Sequence, residues 1–270
     1  MNRAFATLAL RCVLALAVFG PASRVDGRAL SIGGNSAVSG VLYGEVRSTL
    51  TTEFPGTTFT SLGALTGNLS GFDLIILDRV SAQPLLPAEQ TNLHDFVMHG
   101  GNLLYVGDAI NGLSNDSFTL PFGIAMTPDP TTDISIAYAT YTNPGYPFMT
   151  GPFAAPTNPP SGSFAAQITT LGPSVELARW NGGGVAISAF APNTLGPGAG
   201  FGLFLTDLNM VTPTRYSPEV GGVLANALAL PEPSSLTFLL VGAAVCLHSG
   251  RFLRVRKKTR GSLASAFSRS

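Results

Sequence analysis

The chain is poor in cysteine, and its two cysteines, Cys12 and Cys246, both lie in apolar stretches near the ends. Residues 30–230 contain none. That region therefore has no disulfide, no thiolate metal site and no cysteine nucleophile. Lysine is equally scarce, with only Lys257 and Lys258. Between residues 30 and 230 the bases are Arg47, Arg79, Arg179 and Arg215, against thirteen Asp and Glu, an excess of nine negative charges in a chain whose formal net charge is zero. An acidic, lysine-free surface argues against nucleic acid, whose affinity comes mainly from phosphate neutralisation. It argues equally against anionic lipid headgroups. No Gly-x-Ser-x-Gly elbow, dinucleotide fingerprint or P-loop is present, and nothing repeats at a fixed period.

Apolar runs that reach membrane character occur at the two ends. Residues 1–29 read as a secretory signal peptide. Arg3 and Arg11 supply the positive start, and residues 8–10 and 12–19 form the apolar core. Small residues then offer cleavage after Ala22 or as late as Ala29. Arg11 stands where a lipobox needs a small residue, so lipidation of Cys12 is not expected.

At the other end, Pro231-Glu232-Pro233 precedes an apolar segment, residues 234–250, and then a basic cluster of Arg251, Arg254, Arg256, Lys257, Lys258 and Arg260. As a helix the segment would be about 25 Å long at ~1.5 Å per residue, close to the minimum for a hydrocarbon core of roughly 30 Å. The basic cluster would hold its following end in the cytoplasm. The two prolines stop a helix from running back into the preceding domain. This order resembles the PEP-CTERM sorting tail of exported bacterial proteins. The resemblance implies processing by an exosortase, a membrane protease-transpeptidase, with Pro231, Glu232, Pro233, Arg254, Arg256, Lys257 and Lys258 as the sorting signal. It implies a protein anchored in the membrane before processing and found at the cell surface or outside the cell afterwards.

Residues 30–230 are then one exported domain. A short apolar run at 29–33 predicts a first strand, and the spacing of Val38, Leu42, Val46 and Leu50 predicts a helix over 38–54. Residues 57–62 alternate like a strand. Residues 72–78 form a continuous apolar run, the mark of a strand covered on both faces. Pro87 opens a helix that Gly100-Gly101 closes, and residues 102–106 form another buried strand. Strand and helix alternating in this way predict an α/β fold with a doubly wound, mostly parallel, flavodoxin-like sheet. Residues 109–170, rich in Pro, Gly, Thr, Asn and Ser, predict long surface loops with β-rich insertions, including a strand over 133–141. Residues 175–180 and 185–190 flank Asn181-Gly182-Gly183-Gly184 as a hairpin. Residues 217–230 predict a closing helix.

The stretches "GFDLIILDRV" (71–80) and "LLPAEQTNLHDFVMHGGNLLYVGD" (85–108) resemble the class I glutamine-amidotransferase-like fold, in particular its non-catalytic exported branch. Residues 143–153, "NPGYPFMTGPF", and 200–209, "GFGLFLTDLN", resemble later segments of the same branch. In catalytic members the strand after the paired glycines ends in an elbow carrying cysteine. Here Gly107-Asp108-Ala109 stands at that place, and the only histidine that follows, His248, is in the tail. The cysteine-dependent mechanism is thereby excluded.

Asp108 ends one central strand and Asp78-Arg79 the other. With Asn111 they form the candidate ligand edge, since ligands in open α/β sheets bind outside the carboxyl ends of the strands. Against this stands the plainer role of Asp108 as a cap for the turn through Asn111 and Gly112. No calcium-loop pattern accompanies these carboxylates, and His94 and His99 share no helix face, so no metal or cofactor is expected. Gly33-Gly34-Asn35-Ser36 reads as a tight strand-to-helix turn, and the glycines at 196–200 precede a strand. Trp180, Tyr138, Tyr141 and Tyr146 form either a carbohydrate-stacking surface or ordinary packing. The expectation is an exported surface or matrix protein with a non-catalytic binding or structural domain and extracellular polysaccharide as candidate partner. Two alternatives stand beside it, a carboxylate-dependent hydrolase acting on extracellular glycans and a β-rich surface adhesin, the latter requiring the two helices to be absent.

Overall fold

The computed structural model describes residues 28–35, 43–80, 83–108, 114–128, 137–153, 161–162, 165–212 and 218–230. All belong to the first of the chain's two units, 1–230. The sorting-tail expectation, including the segment 234–250, lies outside the described residues, as does the signal-peptide expectation except for residues 28–29. Among the described residues no helix is long and apolar enough to cross a membrane.

Five parallel strands form half of the sheet. They are β1 (Ser31–Gly34), β2 (Thr58–Ser61), β3 (Leu74–Asp78), β4 (Asn102–Val106) and β11 (Gly202–Leu205), in the order β2-β1-β3-β4-β11. Every residue of β3 and of β11 is buried, as the unbroken apolar runs require. Parallel neighbours need crossovers. Helix α1 (Gly44–Glu53) joins β1 to β2, and α2 (Pro87–Met98) joins β3 to β4. The helices cover opposite faces. Val46 and Leu50 of α1 and Val223, Leu224 and Ala227 of α4 (Pro218–Leu228) pack with Ile76, Leu104 and Leu203. Leu93, Phe96 and Val97 of α2, with Phe118 of the short helix α3 (Asp116–Thr119), pack with Ile75, Leu103 and Phe204 on the other face. The predicted helix 38–54 is a helix from Gly44; residues 36–42 lie outside the described residues.

Glycines set how closely α2 returns onto the sheet. A Cβ on Gly101 would stand 2.2 Å from the Phe96 ring, and one on Gly200 would stand 2.0 Å from the Gly101 carbonyl oxygen. Gly200 N–H donates to the Val97 carbonyl at 2.8 Å. The glycine-rich stretch 196–200 is therefore a clasp on the end of α2.

The sheet is mixed rather than mostly parallel, which corrects the sequence expectation. Between β4 and β11 the chain makes an excursion that adds β5 (Ala125–Pro128), β6 (Ala137–Tyr141), β7 (Ser161–Gly162), β8 (Ala166–Thr170), β9 (Val175–Trp180) and β10 (Val185–Phe190). Every pairing these strands make is antiparallel. Short links such as the turn at 181–184 can join only antiparallel neighbours, whereas each parallel pair needs a long crossover. The expectation of long surface loops over 109–170 is likewise too simple. Phe118, Ile124, Phe148 and Ala166 are fully buried, so this region contributes core as well as turns. With α1, α2 and the parallel half in place, the β-sandwich on which the adhesin alternative depended is excluded.

Candidate functional site

The chain leaves β1 through α1 to reach β2 on one side, then places β3 on the other side of β1. The carboxyl ends of β1 and β3 thus flank the topological switch point, where open α/β sheets form their crevice. Asn35 follows β1, Asp78 and Arg79 end β3, Gly107 and Asp108 follow β4, and Thr206 and Asp207 follow β11. Asn35, Asp78, Arg79, Asp108, Thr206 and Asp207 are all buried. Polar side chains out of water need partners, and their partners build the edge.

Asp78 pairs in register with Val106, whose own partner is Leu205. Val106 and Leu205 face α1 and α4, so Asp78 emerges on that face. The Asn35 side-chain amide donates to the Asp78 carbonyl at 3.1 Å, which ties β1 to β3 across the switch point. Tyr43, fully buried at the start of α1, has its hydroxyl pKa pushed well above the usual value. Burial is the main cause, and the Asp78 carboxylate beside that hydroxyl adds to it.

Arg79, next along the chain, donates from Nε to the Ser114 carbonyl at 2.7 Å. Tyr105, in the middle of the α2 face, donates its hydroxyl to Asn115 Oδ1 at 2.8 Å. Asn115 is fully buried. Its Oδ1 also accepts from the Asp108 N–H at 3.2 Å, and its Nδ2 donates to the Asp108 carbonyl at 3.1 Å. The Tyr105 pKa is raised mainly by burial. Arg79 opposes that rise, while Asp78, Asp108 and Asp116 add to it. Tyr105 thus feels both of the carboxylates singled out from the sequence.

Asp207 sits two residues past the β11 position paired with Val106, and Asp108 two residues past Val106 itself. The Asp207 carboxylate caps the turn 208–211 by accepting from the Asn209 N–H at 2.6 Å. A Cβ on Gly162 would stand 2.3 Å from its Oδ2, so β7 rests against it. Beside it the Trp180 indole N–H donates to the Thr206 hydroxyl at 3.1 Å, and that hydroxyl donates to the Ala186 carbonyl at 3.0 Å.

Two of the three expected edge residues, Asp78 and Asp108, therefore stand on adjacent strand ends, and Asn111 lies outside the described residues. Asp207, Tyr43, Tyr105 and Asn115 belong to the same edge and were missed. Asp207 carried a signal, since "FLTD" ends a buried strand just as "IILD" does. The aromatic set is dispersed. Trp180 is buried, Tyr146 packs edge-on against Phe148 with centroids 5.1 Å apart, and Tyr138 is exposed. Trp180, Tyr141 and Tyr146 therefore pack against the core, and Tyr138 is the exposed member of the set. His94 lies against Phe122, and His99 Nδ1 is 2.7 Å from the Asp95 carbonyl oxygen. Among the described residues no group of three His, Cys, Asp or Glu could hold a metal ion.

No family model and no curated protein matches the chain. Solved structures do match its fold. A putative ThuA-like protein from Bacteroides uniformis has a TM-score of 0.52 at 11% identity, over 79% of this chain and 97% of that one. A putative GMP synthase protein from Thermoplasma acidophilum has a TM-score of 0.50 at 11% identity, over 79% and 98%. A β-galactosidase from Rahnella sp. R3 has a TM-score of 0.52 at 14% identity over 76% of this chain, which spans only 32% of that enzyme. At such identities the shared property is the fold, and the class it defines is a mixed, sheet-dominated α/β domain. The neighbours' functions differ widely, as expected when function resides in the site and not in the scaffold.

Proposed function

We propose that the chain is an exported protein of the cell surface or extracellular matrix, sorted by an exosortase through Pro231-Glu232-Pro233 and the basic end, and that its domain binds or builds and does not catalyse. In finer terms the domain is of the class I glutamine-amidotransferase-like kind, non-catalytic branch. The ThuA-like and GMP synthase-like neighbours support the fold part of that reading. The observation that carries the non-catalytic reading is the state of the β4 carboxyl end. Asp108 occupies the elbow position, and its backbone N–H and carbonyl are both committed to Asn115. His99, the nearest histidine in sequence, lies just before β4, on the opposite edge of the sheet. The length of the strand, about 17 Å at ~3.3 Å per residue, separates the two.

Extracellular polysaccharide is the proposed ligand because of the export reading; Asp78 and Asp108 are buried in the fold, and replacing them tests whether this edge takes part. The test is co-sedimentation of the processed protein with purified polysaccharide from the producing cells. Asp78→Asn with Asp108→Asn should abolish retention, and the thermal midpoint of the same double variant, measured in parallel, separates lost binding from lost folding. Retention unchanged by both substitutions would place the binding elsewhere. Release of reducing sugar that the same substitutions abolish would favour the hydrolase alternative.

A further inference from the structure

Two stretches near the N-terminus offer a small-x-small cleavage pattern, Gly20-Pro21-Ala22 and Gly27-Arg28-Ala29. By local sequence either satisfies the rule for a signal-peptide cleavage site, and the sequence does not choose. The structure does, because residues 28–31 are part of the folded domain. Leu30 is 4% exposed and sits in the core under α1 and α4. Its carbonyl accepts from the Thr58 N–H at 2.8 Å, extending the β1–β2 pairing by one residue. Its own N–H points at the Thr57 hydroxyl, 3.4 Å away. The Asp73 carboxylate accepts from the Ser31 N–H at 2.7 Å through one oxygen and pairs with the Arg28 guanidinium through the other.

Cleavage after Ala29 would remove Arg28. It would also convert the Leu30 amide into an α-ammonium group at a half-buried position. A new charge there is disfavoured unless it is paired and hydrogen-bonded. The Arg28–Asp73 pair is half-exposed, and such pairs contribute little by themselves. What opposes a start at Leu30 is therefore chiefly the charge placed on its part-buried nitrogen, next to a side chain held in the core.

We infer that export processing falls upstream of Arg28, after Ala22, so that the mature domain keeps Arg28 and Ala29 as the lead-in to β1. This inference rests on the export reading proposed above. The test is N-terminal sequencing and intact mass of the protein recovered outside the cytoplasm. A start at Ser23, or at any residue up to Arg28, is expected. A start at Leu30 overturns the inference while leaving export intact; so does a protein outside the cytoplasm that still carries Met1, whereas a protein confined to the cytoplasm removes the inference and the export reading together. A second measurement is independent of the processing enzyme. Chains produced to begin at Ser23 and at Leu30 are compared by thermal unfolding, with Arg28→Ala in the longer chain. The Leu30 start should melt at a lower temperature than both longer chains. Equal midpoints for the two starts would show that residues 28–29 are dispensable and would overturn the assignment.

Discussion

Asn115 and Asp108 exchange two hydrogen bonds, the Asp108 N–H donating to Asn115 Oδ1 at 3.2 Å and Asn115 Nδ2 donating to the Asp108 carbonyl at 3.1 Å. The same Oδ1 accepts from the Tyr105 hydroxyl. One buried amide therefore satisfies the backbone past the end of β4 and a buried phenol together. Asn115→Ala leaves three polar groups without that partner where water is excluded. It should lower stability by about 3 kcal/mol, read by chemical denaturation. Tyr105→Phe removes one of the three bonds and should cost clearly less. If the two substitutions cost the same, Asn115 does not hold the strand end.

Gly101 and Gly200 act through steric fit. Adding a methyl group at Gly101 or Gly200 drives it into the Phe96 ring or the Gly101 carbonyl oxygen. Either Gly→Ala change should destabilise by roughly 2–3 kcal/mol through overpacking. Gly182→Ala in the 181–184 turn, where a Cβ would meet nothing within 4 Å, is the control and should be near neutral. Comparable losses at all three positions would mean that backbone freedom, and not close approach, decides.

The two halves of the sheet were legible to different degrees. Strand β4 and helix α2 follow the sequence signals closely, because Pro87 starts the helix, Gly100-Gly101 stops it, and the strand is buried on both faces. The β9–β10 hairpin announced itself through Asn181-Gly182-Gly183-Gly184. Strands β5 and β8 were not seen. They are short, lie among Pro, Gly and Thr, and owe their existence to pairing with each other and, for β8, with β10, many residues away in sequence. The site shows the same division. Asp78 and Asp108 could be read because each ends an apolar run. Asn35, Tyr43 and Asn115 could not, since each acquires its role only when another strand end comes beside it.

The buried tyrosines set the behaviour in alkali. Tyr43 and Tyr105 have pKa values held well above the usual value, first by burial, and Tyr146 is pushed up to about 12, again by burial. A raised folded-state pKa means that the folded protein retains the phenolic proton after the unfolded chain has lost it. The associated stability is complete below about pH 10, the unfolded value, and is lost as pH rises through the folded values. Thermal midpoints should therefore be flat from about pH 8 to 9.5 and fall steeply above about pH 10. Tyr105→Phe should make that fall shallower. A slope unaffected by the substitution would assign alkaline unfolding to other groups.

At the elbow after β4, the domain should release no ammonia from glutamine, because a carboxylate at Asp108 cannot form the thioester that the cysteine-dependent route requires. A sharper expectation follows from the geometry: Asp108→Cys should not install the activity either. A thiol with a pKa near about 8.5 needs a neighbouring base or cation to become an effective nucleophile. His99 sits at the end of α2, on the amino side of β4, and its Nδ1 is engaged with the Asp95 carbonyl; His94 lies against Phe122. Arg79, the buried cation of this edge, is tied to the Ser114 carbonyl. Single replacements in catalytic units that act together recover little. Ammonia release by Asp108→Cys, measured on protein folded like the parent, would show that a base reaches the elbow and that the domain is one substitution away from an enzyme. Its absence, together with thiol labelling that proceeds at the rate of an ordinary buried cysteine, fits an edge in which the whole catalytic pair is missing.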